Sequence, residues 1–205
     1  MVRLHMRVAM ASLVVALSVS GTSRAADLWD WRAAEDPKWS IAVFGGEGTD
    51  DSFSDIVGDL FRVDGNTERL LAVALRRRIG GYGDHMWFEL EGMFGHHYGS
   101  QRYGEFGVAL YARVHDFPWD DYVVTTMAAG LGPSITTRQS ELEFNKTGIR
   151  QKTLNQLNLE LTLALPEYPN YALLGRLQHR SGIFGTINGV DDASNFVSLG
   201  LVVSF

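Results

Sequence analysis

The sequence predicts an all-β protein, an eight-stranded antiparallel transmembrane β-barrel, on three observations. Eight segments alternate large apolar residues with small, polar or charged ones, which is the period of two that β-strands show. The apolar faces are uniformly large and the opposite faces carry the charges, as in strands with lipid outside and a polar interior. The connections are expected to alternate between long and short, as they do in bacterial outer-membrane barrels.

The N-terminus predicts export. Arg3 and Arg7 precede an apolar run over residues 8–19, and the sequence Ser-Arg-Ala at 23–25 places small residues around a cleavage point. We expect residues 1–25 to be a signal peptide and residues 26–205 to form one barrel domain in the cell outer membrane. The apolar run is too short for a membrane-spanning helix.

Composition narrows the classes of function. The chain contains no cysteine, which excludes a disulfide framework and a thiolate metal site. Its net charge of −6 and the lack of a basic run give no reason to expect nucleic acid as a partner. No cofactor or metal is implied. A mean hydropathy near zero fits a membrane barrel and a soluble globular protein equally well, so the strand pattern has to decide.

The first four strands are predicted from alternation. In the second, Leu71, Val73 and Leu75 share one face, opposite Arg76 and Arg78. The fourth strand alternates in the same way, with apolar side chains outward and charges inward. The four segments are residues 39–46, 69–78, a strand around 88–94, and 103–114.

The last four strands follow the same rule. In the sixth, leucines at every second position from 157 to 165 oppose Asn158 and Glu160. The eighth closes on Phe205, a terminal aromatic residue of the kind that ends outer-membrane strands. The four segments are residues 122–132, 157–165, 171–181 and 195–205. We expect short turns at 80–84, 117–121 and 166–170, and long loops after the first, third, fifth and seventh strands.

The inward faces carry charges of both signs. Side chains fill the interior of an eight-stranded barrel, and opposite charges that face each other there can pair. We therefore expect a plugged lumen, which disfavours a small-solute channel. The rival architecture, a soluble sandwich or lipocalin-like barrel, would place the leucines inside. The inward charges are Arg76, Arg78, Glu89, Glu91, Glu105, Arg113, Glu160 and Arg176.

Candidate chemistry lies at the outer end of the last two strands. His179 and Ser181 are two residues apart, so they project from the same lipid-facing side with Cα atoms about 6.5–7 Å apart. The imidazole can then act as a general base toward the hydroxyl. Asn195 opens the neighbouring strand on the same face, within reach of His179. This set suits cleavage of a lipid ester at a membrane interface. The same spacing also arises by chance, and a histidine there can simply bind lipid phosphate.

The segment His179-Arg180-Ser181, the Gly/Asn-rich loop after it and the polar residue that opens the final strand resemble the lipid A 3-O-deacylase (PagL) family. The resemblance is loose over the mature chain and close only near its C-terminus. It implies a metal-free outer-membrane serine esterase with Ser181 as nucleophile and His179 as base. Lipopolysaccharide, through its lipid A, and outer-membrane lipids are the implied partners, and a homodimer is left open.

The chain departs from the family at the acid of the triad, which is a glutamate in the family. Counting from the C-terminus puts Asn195 in its place. Counting forward from His179 gives Ala193, with Asp191 and Asp192 just before it. Asn195, Asp191 and Asp192 therefore stay open as the third member.

Two further points are left open by the sequence. Asn188 and the backbone at Gly182 are candidate donors to the oxyanion that forms during ester cleavage. The alternative function is a non-catalytic eight-stranded barrel with a structural or adhesive role through its loops. That alternative predicts that Ser181 faces the lumen or lies far from His179.

Overall fold

The computed structural model describes residues 29–30, 39–59, 62–183, 189–190 and 192–205. The predicted signal peptide and its cleavage point lie outside these residues. No helix within them is long and apolar enough to cross a membrane.

Eight long strands carry the fold, and each follows the predicted alternation. Two short helices lie in the connections, α1 (Phe53–Gly58) after the first strand and α2 (Glu141–Thr147) after the fifth. The strands are β1 (Trp39–Thr49), β2 (Gly65–Tyr82), β3 (Met86–Tyr98), β4 (Tyr103–Val114), β5 (Val124–Thr136), β6 (Thr153–Ala164), β7 (Tyr171–Ser181) and β8 (Ser194–Ser204).

The sheet closes on itself. Each strand pairs antiparallel with its neighbours in sequence, and β8 also pairs antiparallel with β1, so the eight strands form a complete barrel. The closing ladder sets Val43 opposite Leu201. A two-residue strand, Trp29–Asp30, pairs with the last residues of β2. The predicted eight-stranded antiparallel barrel is therefore confirmed.

The connections depart from a strict alternation of long and short. One end of the barrel carries the segments 50–64, 99–102, 137–152 and 182–193, and we call it the outer end, because outer-membrane barrels carry their longer loops outside. The inner end carries 83–85, 115–123 and 165–170. The expectation of a long loop after the third strand is wrong, since 99–102 is shorter than the inner connection 115–123.

The tight connection after β3 has two physical causes. Pairing continues to His97, opposite Tyr103, because the His97 imidazole is buried in the lumen against Glu105 at 2.7 Å. The chain then reverses at Gly99, whose φ of 131° lies in a region that side chains disfavour. A Cβ at Gly99 would also meet the Thr67 carbonyl oxygen at 2.3 Å. Only glycine fits there.

The outward faces form a continuous apolar belt. Val108, Leu110 and Leu131 are about half exposed, and Leu201 is 60% exposed. A soluble protein does not leave so many large apolar residues uncovered, whereas lipid covers them at no cost. The soluble sandwich or lipocalin-like alternative is therefore wrong, because its leucines would point inward.

Paired charges plug the lumen. The Glu160 carboxylate receives Arg76 and Arg176 at 2.6 Å each and Arg113 at 2.8 Å. Arg76 also pairs with Glu91 at 2.6 Å. Each of these side chains is almost completely buried, and mutual pairing offsets the cost of burying them singly. The predicted ion-pair plug is confirmed.

Candidate active site at the outer rim

Strand β7 delivers the candidate nucleophile and base to the outside of the barrel wall. Arg180 between them points into the lumen, where its Nε donates to Ser134 Oγ at 2.7 Å and pairs with Glu105 at 3.3 Å. Because side chains alternate along a strand, His179 and Ser181 point outward. Ser181 therefore faces outward, whereas the non-catalytic alternative predicted that it would face the lumen or lie far from His179.

Strand β8 brings Asn195 to His179. The two residues are paired across the β7–β8 ladder, and His179 Nδ1 lies 2.7 Å from Asn195 Oδ1. The Asn195 amide nitrogen donates to the Asp51 carbonyl oxygen at 2.9 Å, which fixes the amide orientation with its oxygen toward the imidazole. An amide oxygen only accepts, so Nδ1 carries the proton and Nε2 offers a lone pair. This is the tautomer that a general base requires.

Asp192 stands behind this pair. Its Oδ1 lies 3.2 Å from Asn195 Nδ2 and 3.6 Å from His179 Nδ1. Its Oδ2 pairs with Lys146 Nζ at 3.1 Å. Of the three residues left open as the third member of a triad, the structure brings Asn195 and Asp192 to the imidazole. Asp191 lies outside the described residues.

Helix α2 makes contacts both in the mouth of the barrel and at its outward face. Its N-cap Ser140 accepts from the Glu143 backbone N–H. The Glu143 carboxylate turns into the barrel mouth, where it binds Arg180 and accepts from Ser194 Oγ at 2.9 Å. Lys146, one turn later, reaches Asp192 near the outward face. The helix therefore connects the lumen network to the candidate site.

The structure gives no support to the two predicted oxyanion donors. The Gly182 N–H already donates to the Val190 carbonyl oxygen at 2.7 Å, so it does not stand free at the site. Asn188 lies outside the described residues. Ile183, the next residue in this turn, has a φ of 51°, a left-handed conformation that costs a β-branched residue about 1–3 kcal/mol.

Asn155 is a candidate donor that the sequence analysis missed. It lies directly opposite Ser181 in the β6–β7 ladder and is buried. Side chains of directly opposite residues share a face with Cβ atoms about 4.5–5.5 Å apart. Its amide nitrogen donates to the Gln156 carbonyl oxygen at 3.2 Å, which leaves one N–H for another acceptor. The strand was predicted to start at residue 157, which hid the pairing.

Loops cover the site. His179 and Ser181 are only 8% and 7% exposed, although their face of the wall points toward lipid. The Phe53 ring of the first outer loop lies 4.8 Å from the His179 ring between centroids. No hydrogen bond joins Ser181 to His179 in the part of the chain that the structure describes. The sequence predicted that the pair projects from the lipid-facing side, and the structure adds that part of the first outer loop packs over it.

The adjacent pair His96 and His97 does not form a joint site. His96 is exposed and its neighbour His97 is buried in the lumen, so the two point to opposite faces. Among the residues described, no group of three or more His, Asp or Glu side chains is arranged to hold a metal ion.

Comparisons with known proteins give the fold. No family model and no curated protein matches the sequence. The crystal structure of the outer membrane enzyme PagL is similar, with a TM-score of 0.56 and 10% identity over 81% of this chain and 99% of that chain. The N-terminal barrel domain of Pseudomonas aeruginosa OprF (14% identity, TM-score 0.48) and Neisserial surface protein A (15%, 0.49) each match 82% of this chain, and 98% and 97% of their own. The chain folds as an eight-stranded outer-membrane barrel.

The similarity to these barrels and the apolar belt both support the predicted outer-membrane location. At 10% identity the similarity to PagL concerns the backbone fold, and one fold hosts many functions. The activity must be argued from the side chains at the rim.

Proposed function

We propose that this protein is an outer-membrane serine esterase that hydrolyses an acyl ester of lipid A, with the 3-linked acyl chain as the expected target. Ser181 is the nucleophile, His179 the general base and Asn195 the residue that orients the imidazole. The observation that carries the proposal is the 2.7 Å bond between His179 Nδ1 and Asn195 Oδ1. It leaves Nε2 unprotonated, on the same face of the same strand as the Ser181 hydroxyl.

The reaction follows from these positions. His179 Nε2 takes the Ser181 proton as Oγ attacks the ester carbonyl, which forms a tetrahedral oxyanion. The imidazolium then gives its proton to the departing sugar hydroxyl, which leaves an acyl group on Ser181. The same imidazole deprotonates a water that attacks the acyl carbon, and the imidazolium returns the proton to Ser181 Oγ as the fatty acid leaves. Asn155 is placed to donate to the oxyanion.

Location supports the choice of substrate class. The site lies at the outer end of the wall, on the lipid-facing side, where lipid A of the outer leaflet would lie. Ser181 is nearly buried and the Phe53 ring packs on its proposed base, so the lipid has to move part of the first outer loop to bring its ester to the site. The partners proposed here are lipopolysaccharide and its neighbouring outer-membrane lipids.

The test is mass spectrometry of lipid A from cells that express the wild type, Ser181→Ala or an empty vector. Ser204→Ala, at the inner end of β8, is the matched control, since it removes a hydroxyl far from the site. We expect loss of one acyl chain with the wild type and the control only. Identical spectra from wild type, Ser181→Ala and vector would leave the non-catalytic structural or adhesive barrel as the function.

A further inference from the structure

In the described ranges of the proposed esterase, no carboxylate is hydrogen-bonded to the imidazole of His179. The Asp192 carboxylate lies just behind Asn195, close enough to stabilise a positive charge on that imidazole. We propose that Asp192 is the acid of this site and acts on His179 through the Asn195 amide, as the far end of an aspartate–asparagine–histidine relay. This inference rests on the proposed function. Asp192 is a positioning residue, because it touches neither the nucleophile nor the ester.

The geometry places one carboxylate oxygen between two donors. Asp192 Oδ1 lies 3.2 Å from Asn195 Nδ2 and 3.6 Å from His179 Nδ1. The first contact is a hydrogen bond, and the second becomes an ion pair when His179 is protonated. Asn195 is completely buried and the His179 side chain is 10% exposed, whereas the Asp192 side chain is 26% exposed, so water screens the carboxylate only in part.

The chemistry explains why a charge is needed there. When His179 takes the Ser181 proton it becomes an imidazolium, and a neutral amide stabilises that cation less than a carboxylate does. The Asn195 amide has its oxygen on the imidazole and its nitrogen on Asp192, so the carboxylate polarises the amide in the direction that favours the cation. The same carboxylate attracts the imidazolium directly.

Lys146 neutralises part of the Asp192 charge from the side away from the imidazole. Its ammonium group pairs with Asp192 Oδ2 at 3.1 Å, which leaves Oδ1 for Asn195 and His179. It also approaches the Asp51 carbonyl oxygen at 3.5 Å, the same oxygen that accepts from Asn195. The first, third and fourth outer loops therefore meet at the relay.

A plain structural role for Asp192 makes a different forecast. If it only ties the fourth loop to α2, removing Lys146 should harm the site as much as removing the carboxylate. If Asp192 acts by its charge, removing Lys146 should matter little, because the carboxylate stays and loses a neutralising partner. A carboxylate moved to position 195 should then also replace the missing one.

The experiment uses the full chain purified from outer membranes and assayed on lipid A in mixed micelles. We expect Asp192→Asn to lower kcat about 10- to 100-fold with KM unchanged, and Lys146→Met to lower it less than about threefold. The double variant Asp192→Asn/Asn195→Asp should return to within about fivefold of the wild type. Equal losses in Asp192→Asn and Lys146→Met, or a wild-type rate in Asp192→Asn, would overturn the relay.

A second measurement does not depend on turnover. NMR titration of ¹³C-labelled histidine, assigned with His179→Gln, gives the pH at which His179 takes up a proton. Loss of the carboxylate should move this midpoint down by about 0.5 pH unit or more, since the negative charge favours the imidazolium. An unchanged midpoint overturns the coupling whatever the activity. A different outcome is that the midpoint differs between the wild type and Asp192→Asn while the wild type is no more active than Ser181→Ala. That result would defeat the proposed function and leave the coupling between Asp192 and His179 standing.

Discussion

Replacing Asn195 by alanine tests the contact on which the proposed esterase depends. The substitution removes the acceptor 2.7 Å from His179 Nδ1 and both bonds of the amide nitrogen. A buried donor left without its partner costs about 1–3 kcal/mol. That penalty, applied to the oriented imidazole, corresponds to roughly a 5- to 150-fold loss in kcat at about 1.4 kcal/mol per decade.

The assay is steady-state deacylation of lipid A in mixed micelles by the purified proteins. Asn170→Ala, in the last inner turn, is the matched control, because it removes the same side chain at the other end of the barrel. KM should change little, since Asn195 lies behind the imidazole and not against the ester. A folded Asn195→Ala barrel with a kcat within twofold of wild type would refute the assignment of Asn195 as the orienting residue.

Three further perturbations separate chemistry from stability. Asn155→Ala should lower kcat by about 10²-fold through loss of an oxyanion donor, and a rate equal to wild type would remove Asn155 from the site. Glu160→Ala should destabilise the barrel by about 3–5 kcal/mol in urea unfolding, because it leaves three buried arginines undercompensated. Leu110→Arg should cost about 2–4 kcal/mol if this outward residue faces the bilayer midplane, whereas Leu110→Ile should be nearly neutral.

The barrel could be predicted from the sequence because its alternation is strict where lipid and lumen impose opposite demands. In a membrane, the strand with Leu71, Val73 and Leu75 on one face and Arg76 on the other can turn only its apolar face toward lipid. Strand ends were less predictable. β6 was predicted from residue 157 and begins at Thr153. The lumen bond between His97 and Glu105 joins two strands, and period-two reasoning along one strand does not reveal it.

The two loop helices were missed, although local signals for both are present. Ser52 caps α1 and is followed three residues later by Asp55, and Ser140 caps α2 and is followed by Glu143. This serine–acid spacing is a helix-start signature. Both helices are short and lie in polar segments, where no apolar periodicity draws attention to them.

The candidate site was predictable only in part, because some of its residues lie in loops. The pairing of His179 with Asn195 follows from hairpin register and parity, and the structure has it. The approach of Asp192 and Lys146 does not follow from either rule, because their segments lie outside the strands and meet through loop packing. The cover by Phe53 likewise depends on where a loop of this length folds back.

The contacts of α2 on both sides of the barrel edge have a consequence for the site. Glu143 is fastened to Arg180 and Ser194 in the mouth of the barrel, and Lys146 is fastened to Asp192 on the other side of the same edge. One short helix therefore carries both an ion pair in the barrel mouth and an ion pair beside the imidazole. A substitution at Arg180, whose side chain points into the lumen, should accordingly shift α2 at the outward face of the wall.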